Sequence, residues 1–589
     1  LIDREFDVLV IGGGAFGAAA AWDASLRGLS VALIEQADFG SGASAECFKM
    51  VHGGIRYLQH GDIRRLRASC RERSALLRIA PHLVRPLPIA VPTFGRGRKG
   101  KALLGAGMIA YDLLTAGKNE GIGDAGRRIP ATTFLSRSEV LGLFPELQDP
   151  SLTGAAVFAD GQMYNAARLV LAFIKSATRR GAVVANYVQA TEFLWNRQRV
   201  RGVRARDCLD GKQLEIRARL VLNAAGPWAE YLLADPDRFG AHRRGPFSRD
   251  AYFIVRRAPR SPYALAVPGR SRDRDSIVSR SARHLFAVPW RDVTLIGVWH
   301  RSFADRPDTA RVEEGDLQRW LAEMNASLPS LGLRRDEVCY ACCGLVPFGS
   351  ESPGGELSFG KESRFIDHRR THGVAGLVTL IGIRFTTARG DAATALDLLM
   401  QQWHGSAPAR AATERIALAG GDVSDFEALR RRALLGKPAT LSKRSLEALL
   451  CNHGDEFSSV LALAADPAEA GVLGDSSTLV AEVTHAVREE MAVRLEDVVL
   501  RRTDLGSAAH PGARALEQAA HRMQSLLGWS DERWRQELDA TERQLRWHQA
   551  AATVATTTAT TIGSDAGDAS QAQRSSSAGT SRRLAGVES

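Results

Sequence analysis

A chain of 589 residues exceeds what one ordinary core organises, so two or three domains are expected, and 45% hydrophobic against 24% charged residues is the balance of a globular protein. The net charge of +11 favours anionic partners, but the excess is arginine scattered along the chain, and without a zinc-finger, RNP-type or helix-turn-helix signature it excludes nucleic acid as the expected partner. Seven cysteines, sparse and odd in number, exclude a disulfide framework, and the lack of any apolar run of 18 residues excludes a spanning helix.

Residues 1–5 run straight into an apolar strand, without the basic region, apolar region and cleavage site of a secretory signal; the first residue is Leu, which leaves the true start open. A cytoplasmic protein is expected. Residues 6–11 (FDVLVI) read as a buried strand, 12–17 as a glycine turn, 18–27 as a helix ending at Gly28, and Val31–Ile34 as a second buried strand closed by Glu35. Together they make a βαβ unit within about 30 residues. Further along, Ile63–Ile79 is an Arg-rich helix with leucines and isoleucines on one face, 165–180 is an amphipathic helix and 182–188 a strand. A short strand at 220–223 runs into Ala224, Ala225, Gly226 and Pro227. Strand signals at 251–256, 284–289 and 293–299 predict an antiparallel domain. Residues 376–381 make one more buried strand before a helix at 387–402, and from about residue 420 onward the pattern is helical. The end of the chain, from 553, is rich in Thr, Ser, Ala and Gly and reads as a disordered tail.

Gly12, Gly14 and Gly17 form G-x-G-x-x-G between a predicted strand and a predicted helix, the context that gives the motif meaning. Gly12 permits the tight turn, Gly14 lets the backbone approach a pyrophosphate, and Gly17 lets helix and strand close up. The helix N-terminus presents free N–H groups to the phosphates. Glu35 is placed to accept hydrogen bonds from the adenosine ribose, which disfavours a 2′-phosphate. The competing reading is an ordinary glycine turn with a surface glutamate. FAD rather than NAD is indicated by two later segments, Asn223 to Trp228 around Gly226, and Gly382 followed by Thr386, Thr387 and a helix. That second helix start suits the negative charge that develops on a reduced flavin.

The sequence resembles the FAD-dependent glycerol-3-phosphate dehydrogenases, within the D-amino-acid-oxidase-like flavoproteins. The resemblance runs from residue 6 to about 545 and is carried by the motif from Lys49 through His52, Gly53, Gly54 and Arg56 to Gly61, with IAPHLVRPLPIAVP at 79–92, VLNAAGPW at 221–228, GLVTLIG at 376–382 and EMAVRLEDVVLRRTDLG at 490–506. It implies an α/β fold: a Rossmann-type FAD-binding domain, an antiparallel β-sheet substrate domain and a C-terminal all-α domain. It also implies hydride transfer from C2 of glycerol-3-phosphate to flavin N5, a base taking the hydroxyl proton, and a quinone receiving the electrons. In the family, the Lys, His-Gly-Gly and Arg of the first motif line flavin and substrate, here Lys49, His52, Gly53, Gly54 and Arg56; Ser44 and Val188 complete the cofactor side. His52, Arg56, Tyr252 and Arg384 are the catalytic candidates, and a structural histidine is the competing reading of His52. Several substrate-side positions depart from the family pattern. Tyr252 stands where the family has an active-site His, Val346 where it has a phosphate-holding Arg, Arg384 where it has a Lys, and Val298, Trp299 and His300 replace a Thr-Asp pair. Loss of a bidentate Arg–phosphate contact points to a relative of glycerol-3-phosphate, with Arg56, Lys361 or Arg384 compensating.

The implied domain plan is an FAD-binding domain in pieces 1–95, 166–245 and 376–415, a substrate and membrane-contact segment at 96–165, an antiparallel substrate domain at 246–375, a helical domain at 416–550 and a tail at 551–589. Arg96, Arg98, Lys99 and Lys101 precede an apolar stretch at 102–114, which reads either as contact with an anionic membrane surface, on the inner face of the plasma membrane, or as a basic loop before a core helix. Cys339, Cys342 and Cys343 lack a second metal-ligand pair nearby and read as buried small hydrophobes, so no metal is expected. A homodimer is open. The rival functions are an amine or amino-acid oxidase on the same fold, and a flavin-binding protein with a degenerate substrate site.

Overall fold

The computed structural model describes residues 4–95, 101–240, 247–272, 282–351, 357–359, 363–405 and 411–549. Among the described residues the strands build two sheets, one of eight and one of ten strands. The first is centred on Glu5–Ile11, flanked in parallel by Val31–Ile34 and Gln213–Asn223. Val183–Ala185 extends one side and Leu377–Ile381 the other, both parallel, and Arg364–Asp367 closes the edge antiparallel. Parallel strands covered by helices on their faces read as continuous apolar runs, and all four residues of Val31–Ile34 are buried. The helix Ala15–Leu26 packs on this sheet through Ala18, Ala19, Ala20, Ala21 and Trp22. It begins three residues before the predicted position, because the glycine turn passes directly into it at Gly14. The predicted strand at 182–188 is broken, since Tyr187 takes a left-handed φ of 58° and the chain turns there into Val188–Asn196.

The second sheet is antiparallel for most of its width, as predicted, but it draws on more of the chain than 246–375. Phe247–Val255, Ala282–Trp290, Val293–Phe303 and Val338–Glu351 form one half. The other half comes from Val84–Phe94, Thr133–Ser136, Leu152–Met163 and the two residues Met50–Val51. The motif that begins at Lys49 therefore contributes to the second sheet. Lys49 itself has a left-handed φ of 59°, which turns the chain into Met50–Val51.

Beyond residue 411 the described chain is helical, with only an isolated bridge between Val472 and Leu479. Its core is Leu473, Val483, Leu495, Val498, Leu516 and Met523. Glu482 is buried in this region, and its carboxylate accepts the Leu479 N–H at 2.8 Å. Burial pushes the Glu482 carboxyl up to about 8. The folded chain thus holds a proton that the unfolded chain, with a glutamate near about 4.3, releases. Stability from this group is full below that value and declines as pH rises through about 8. Glu482→Gln keeps the acceptor for Leu479 and removes the titration. We expect the variant to match the parent near pH 5 and to exceed it by ~2–4 kcal/mol near pH 9; urea unfolding at both pH values measures the difference, and parallel pH profiles would refute it.

The tail and the basic cluster at 96–100, as well as Lys361, lie outside the described residues. The stretch at 102–114 forms the helix Lys101–Leu114, with Met108 and Tyr111 buried and Ile109 and Leu113 exposed. Among the described residues no helix is long and apolar enough to cross a membrane.

Candidate active site

A cavity of about 1270 Å³ opens between the two sheets. Sites for drug-sized ligands occupy ~300–1,000 Å³, so there is room for a dinucleotide and a small substrate together. One end is built from the glycine turn and Glu35; the other reaches Tyr252, Phe286, His300 and Val346 of the second sheet.

At the first end the residues fit a dinucleotide. A Cβ on Gly17 would lie 1.9 Å from the Gly12 carbonyl oxygen, and one on Gly12 would lie 2.6 Å from the Ala224 carbonyl oxygen, so helix and strand are as close as backbones allow. Around Gly14 the nearest atom to such a Cβ is the Ser44 hydroxyl oxygen at 3.1 Å, which leaves the turn open to the cavity. Ser44 Oγ accepts the Ala15 N–H at 2.9 Å, at the helix N-terminus where a phosphate would be held. Glu35 accepts the N–H groups of Gly13 at 2.6 Å and Ala37 at 3.0 Å. Burial raises its carboxyl, partly offset by those two bonds. Val188 N–H donates to the Glu35 carbonyl and its side chain lines the cavity beside it. Gly226 and Gly382 also line the cavity. A Cβ on Gly382 would overlap the Phe16 ring at 1.9 Å, so the ring and this segment fit only through glycine.

Gly17→Ala must drive rigid backbone apart, because the obstructing atom is a carbonyl oxygen rather than a flexible side chain. We expect FAD retention to fall at least ~100-fold, the scale of losing a few kcal/mol at a close-packed site. The ratio of flavin to protein absorbance after gel filtration reads it, and an unchanged ratio would remove the turn from the cofactor site.

His52 is half-exposed to the cavity. Its N–H donates to Thr386 Oγ1 at 3.0 Å, tying it to the segment that opens the helix Ala388–His404, and its Nδ1 lies 3.7 Å from Asp160. Asp160 is buried; its other oxygen accepts the Gly53 N–H at 2.6 Å and Arg73 Nη1 at 2.6 Å. Burial alone would raise the Asp160 carboxyl, but the neighbouring His52 imidazole, the Arg73 guanidinium and the Gly53 N–H outweigh it and hold the group below the usual carboxylate range. Arg73 is fully buried and also donates to Tyr111 Oη and the Ala159 carbonyl, both at 3.1 Å. The result is an imidazole on the cavity wall, a fixed carboxylate behind it and a guanidinium behind that, the pattern of an oriented general base. Gly54 lines the cavity beside His52.

Another imidazole, His300 of Val293–Phe303, also lines the cavity. His300 Nδ1 lies 2.7 Å from Asp250, which also accepts the Ser248 hydroxyl at 2.5 Å. Arg384 reaches the cavity from the Gly382 segment, with Nη1 donating to Tyr57 Oη at 2.6 Å and Ser69 Oγ at 2.9 Å. Val346 also lines the cavity, so the position that departs from the family pattern does face the substrate space.

Three of the expected residues have their polar groups or space taken up by neighbouring protein atoms. Lys49 is not among the residues that line the cavity; its ammonium donates to the Ala45 carbonyl and stands 5.8 Å from the Trp290 ring. Tyr252 lines the cavity, but its hydroxyl donates to the Cys47 carbonyl at 3.0 Å and burial raises it well above the ordinary phenol value. Its ring meets Phe48 edge-on at 5.1 Å. Gly53 also stands off the cavity, because a Cβ there would lie 2.0 Å from Arg73 Nη1; its absence is what lets Arg73 reach Asp160. The Arg56 backbone lies in the helix Ile55–Gln59, and its side chain is outside the described residues. Asp160, Arg73 and the His300–Asp250 pair were not found from sequence. Arg73 was hidden on the apolar face of an amphipathic helix, and Asp160 sits in a strand with no motif.

Residues 7–390 match the family described as FAD dependent oxidoreductase, and residues 411–534 match the C-terminal domain of alpha-glycerophosphate oxidase. The chain is 31% identical to the mitochondrial glycerol-3-phosphate dehydrogenase of Macaca fascicularis, over 92% of this chain and 73% of that protein. It is also 31% identical to a glycerol-3-phosphate dehydrogenase of Mycobacterium leprae, over 90% of this chain and 86% of that one. A solved glycerol-3-phosphate dehydrogenase from Bacillus halodurans, complexed with FAD, superposes with a TM-score of 0.69 at 24% identity, covering 93% of this chain and 95% of that one.

Proposed function

This chain belongs to the FAD-dependent oxidoreductase family, related over nearly its whole length to glycerol-3-phosphate dehydrogenases, and on that premise we propose that it oxidises glycerol-3-phosphate or a close polyol-phosphate relative to the ketone. The observation that carries this reading is the oriented imidazole of His52, backed by Asp160 and Arg73, in one cavity with the glycine turn and Glu35. Gly12, Gly14, Ser44 and Glu35 would hold the ADP half of FAD, and Gly226, Gly382 and Thr386 the remainder. Bound FAD supplies the hydride acceptor. His52 Nε2 takes the proton of the substrate hydroxyl as the C–H hydride leaves, and the ionised Asp160 stabilises the imidazolium that results. Arg384 supplies the cation for the substrate phosphate, and its bonds to Tyr57 and Ser69 set the direction of the guanidinium. Val346 leaves the facing wall apolar, which favours a substrate bulkier than glycerol-3-phosphate on that side.

A quinone is the proposed electron acceptor. The exposed Ile109 and Leu113 of the helix Lys101–Leu114 support peripheral membrane contact, which would place the enzyme beside that acceptor. Anaerobic titration of the FAD-loaded protein tests the substrate. Glycerol-3-phosphate or a phosphorylated relative should bleach the flavin band, glycerol should not, and a quinone analogue should restore it. Bleaching by amines or amino acids alone, with peroxide on admitting air, would replace this reading with an oxidase.

A further inference from the structure

Glu46, Cys342 and His548 come from three distant parts of the chain. Glu46 lies in the turn before Lys49, Cys342 in the strand Val338–Glu351, and His548 near the end of the helix Asp531–Gln549. One donor atom from each lies within 4.8 Å of the other two, and His548 Nε2 is 3.8 Å from Glu46 Oε1. His548 Nδ1 stands 3.0 Å from the Ala341 carbonyl. A carbonyl only accepts, so Nδ1 carries the proton, and in the neutral ring Nε2 turns its lone pair toward Glu46 and Cys342. Metal-bound histidines are fixed in this way, the other ring nitrogen donating to a carbonyl or carboxylate. The ring is held further by stacking on Tyr340, with centroids 4.3 Å apart. The second carboxylate oxygen of Glu46 is buried without a hydrogen-bond partner, and Cys342 is a buried free thiol.

A second grouping of metal-binding types, His453, His485 and Glu490, differs in one decisive respect. Arg168 lies 2.5 Å and Lys175 3.2 Å from Glu490, so two cations already occupy that carboxylate and would repel a third. Among the described residues the ion pair of Glu46 is with His548.

We propose that Glu46, Cys342 and His548 bind a zinc ion that fastens the chain's last described helix to the substrate-side sheet and to the turn leading into Lys49. Tetrahedral zinc with bonds of ~2.0–2.3 Å sets its donors ~3.3–3.6 Å apart, so a pair at the outer limit of 4.8 Å needs to close by about 1.2–1.5 Å. Binding exchanges a proton for the metal: the Cys342 S–H bond breaks, the Zn–S bond forms, and the proton leaves to solvent. Glu46 and His548 both line the cavity, which gives the ion its route in and a water its place as fourth ligand.

Metal analysis of the FAD-loaded full chain, after equilibration with zinc and removal of excess, should find one zinc per chain. Glu46→Gln, Cys342→Ser and His548→Gln should each weaken chelator-buffered zinc binding at least ~10-fold while FAD content is retained. Cobalt(II) in place of zinc should give tetrahedral d–d bands to the red of the flavin absorption, with thiolate character lost in Cys342→Ser. Absence of stoichiometric zinc in the unaltered protein, or zinc affinity unchanged in all three variants, would overturn the site. If the variants do not fold, the cobalt spectrum of the unaltered protein decides: a thiolate signature supports the site and its absence rejects it.

Discussion

Asp38→Ala is expected to destabilise the folded chain by about 3–5 kcal/mol and to lower its FAD content. Asp38 is fully buried and receives two bonds from Arg502, both at 2.7 Å, and one from Arg501 Nε at 2.6 Å. Burial alone would raise the Asp38 carboxyl, but the Arg502 and Arg501 guanidiniums outweigh it and hold it well below the usual range. Both arginines lie in the π-helical turn Asp497–Arg502, and Asp38 follows Glu35 by three residues, so this one carboxylate couples the helical region to the dinucleotide end of the cavity. Arg501 keeps Asp497 at 2.7 Å and Glu496 at 3.3 Å when Asp38 is removed. Arg502 keeps only the Glu490 carbonyl among the partners described. The cost is therefore mainly an uncompensated Arg502 in a dry interior, which sets its size. Arg502→Met in the Asp38→Ala background should recover part of the loss, because it removes the stranded charge. Denaturant unfolding with flavin and tryptophan signals followed separately checks both. A double variant no better than Asp38→Ala would mean that the cost lies in the loop rather than in the charge.

This pairing also marks where the sequence is legible and where it is not. The run EMAVRLEDVVLRRTDLG was recognisable as a helical-domain motif, but nothing in its spacing says that Arg501 and Arg502 close on a residue more than 460 positions earlier. The βαβ unit was legible because each of its signals is local: an apolar run, three glycines, an alanine-rich helix and a terminal glutamate. The helix Ile63–Ile79 was legible end to end for the same reason. Half of the second sheet was not, since Val84–Phe94 contains Pro86, Pro88 and Pro92, which argue against a central strand. The prolines fall on alternate residues, and a strand tolerates that along an edge that pairs only at Ile89 and Ala90 with Ala264–Arg272. The cysteines teach the same lesson at the scale of a site. Cys339 and Cys342 are buried, as a small-hydrophobe reading requires, yet the partners of Cys342 stand about 296 residues before it and 206 after it, beyond the reach of any spacing rule.

The second large effect concerns the proton. His52→Gln should lower kcat by ~10²–10⁴ while the protein keeps its FAD and its fold, because glutamine fills the space and holds no proton-accepting nitrogen. Of the histidines that line the cavity, His52 and His300 are each set beside an aspartate, and geometry chooses between them. The His52 N–H is bonded to Thr386, in the segment with Gly382 that lies against the cofactor end, whereas His300 projects from the substrate-side sheet and pairs with Asp250. The base must reach the hydroxyl on the carbon whose hydride goes to the flavin, so it belongs beside the flavin-facing segment. His300→Gln should then act chiefly on KM, through substrate contact, and leave kcat within about tenfold. Asp160→Asn should fall between the two. It removes the charge that stabilises the imidazolium, but it leaves an oxygen for Gly53 and Arg73. Arg384→Met supplies the opposite split, raising KM for the phosphorylated substrate far more than it lowers kcat, since a binding cation serves ground and transition states alike. Single-turnover flavin reduction, followed in the four variants across substrate concentrations up to saturation, separates these outcomes. If His300→Gln loses the chemical step and His52→Gln retains it, the base is the His300–Asp250 pair and the substrate lies in the reverse orientation.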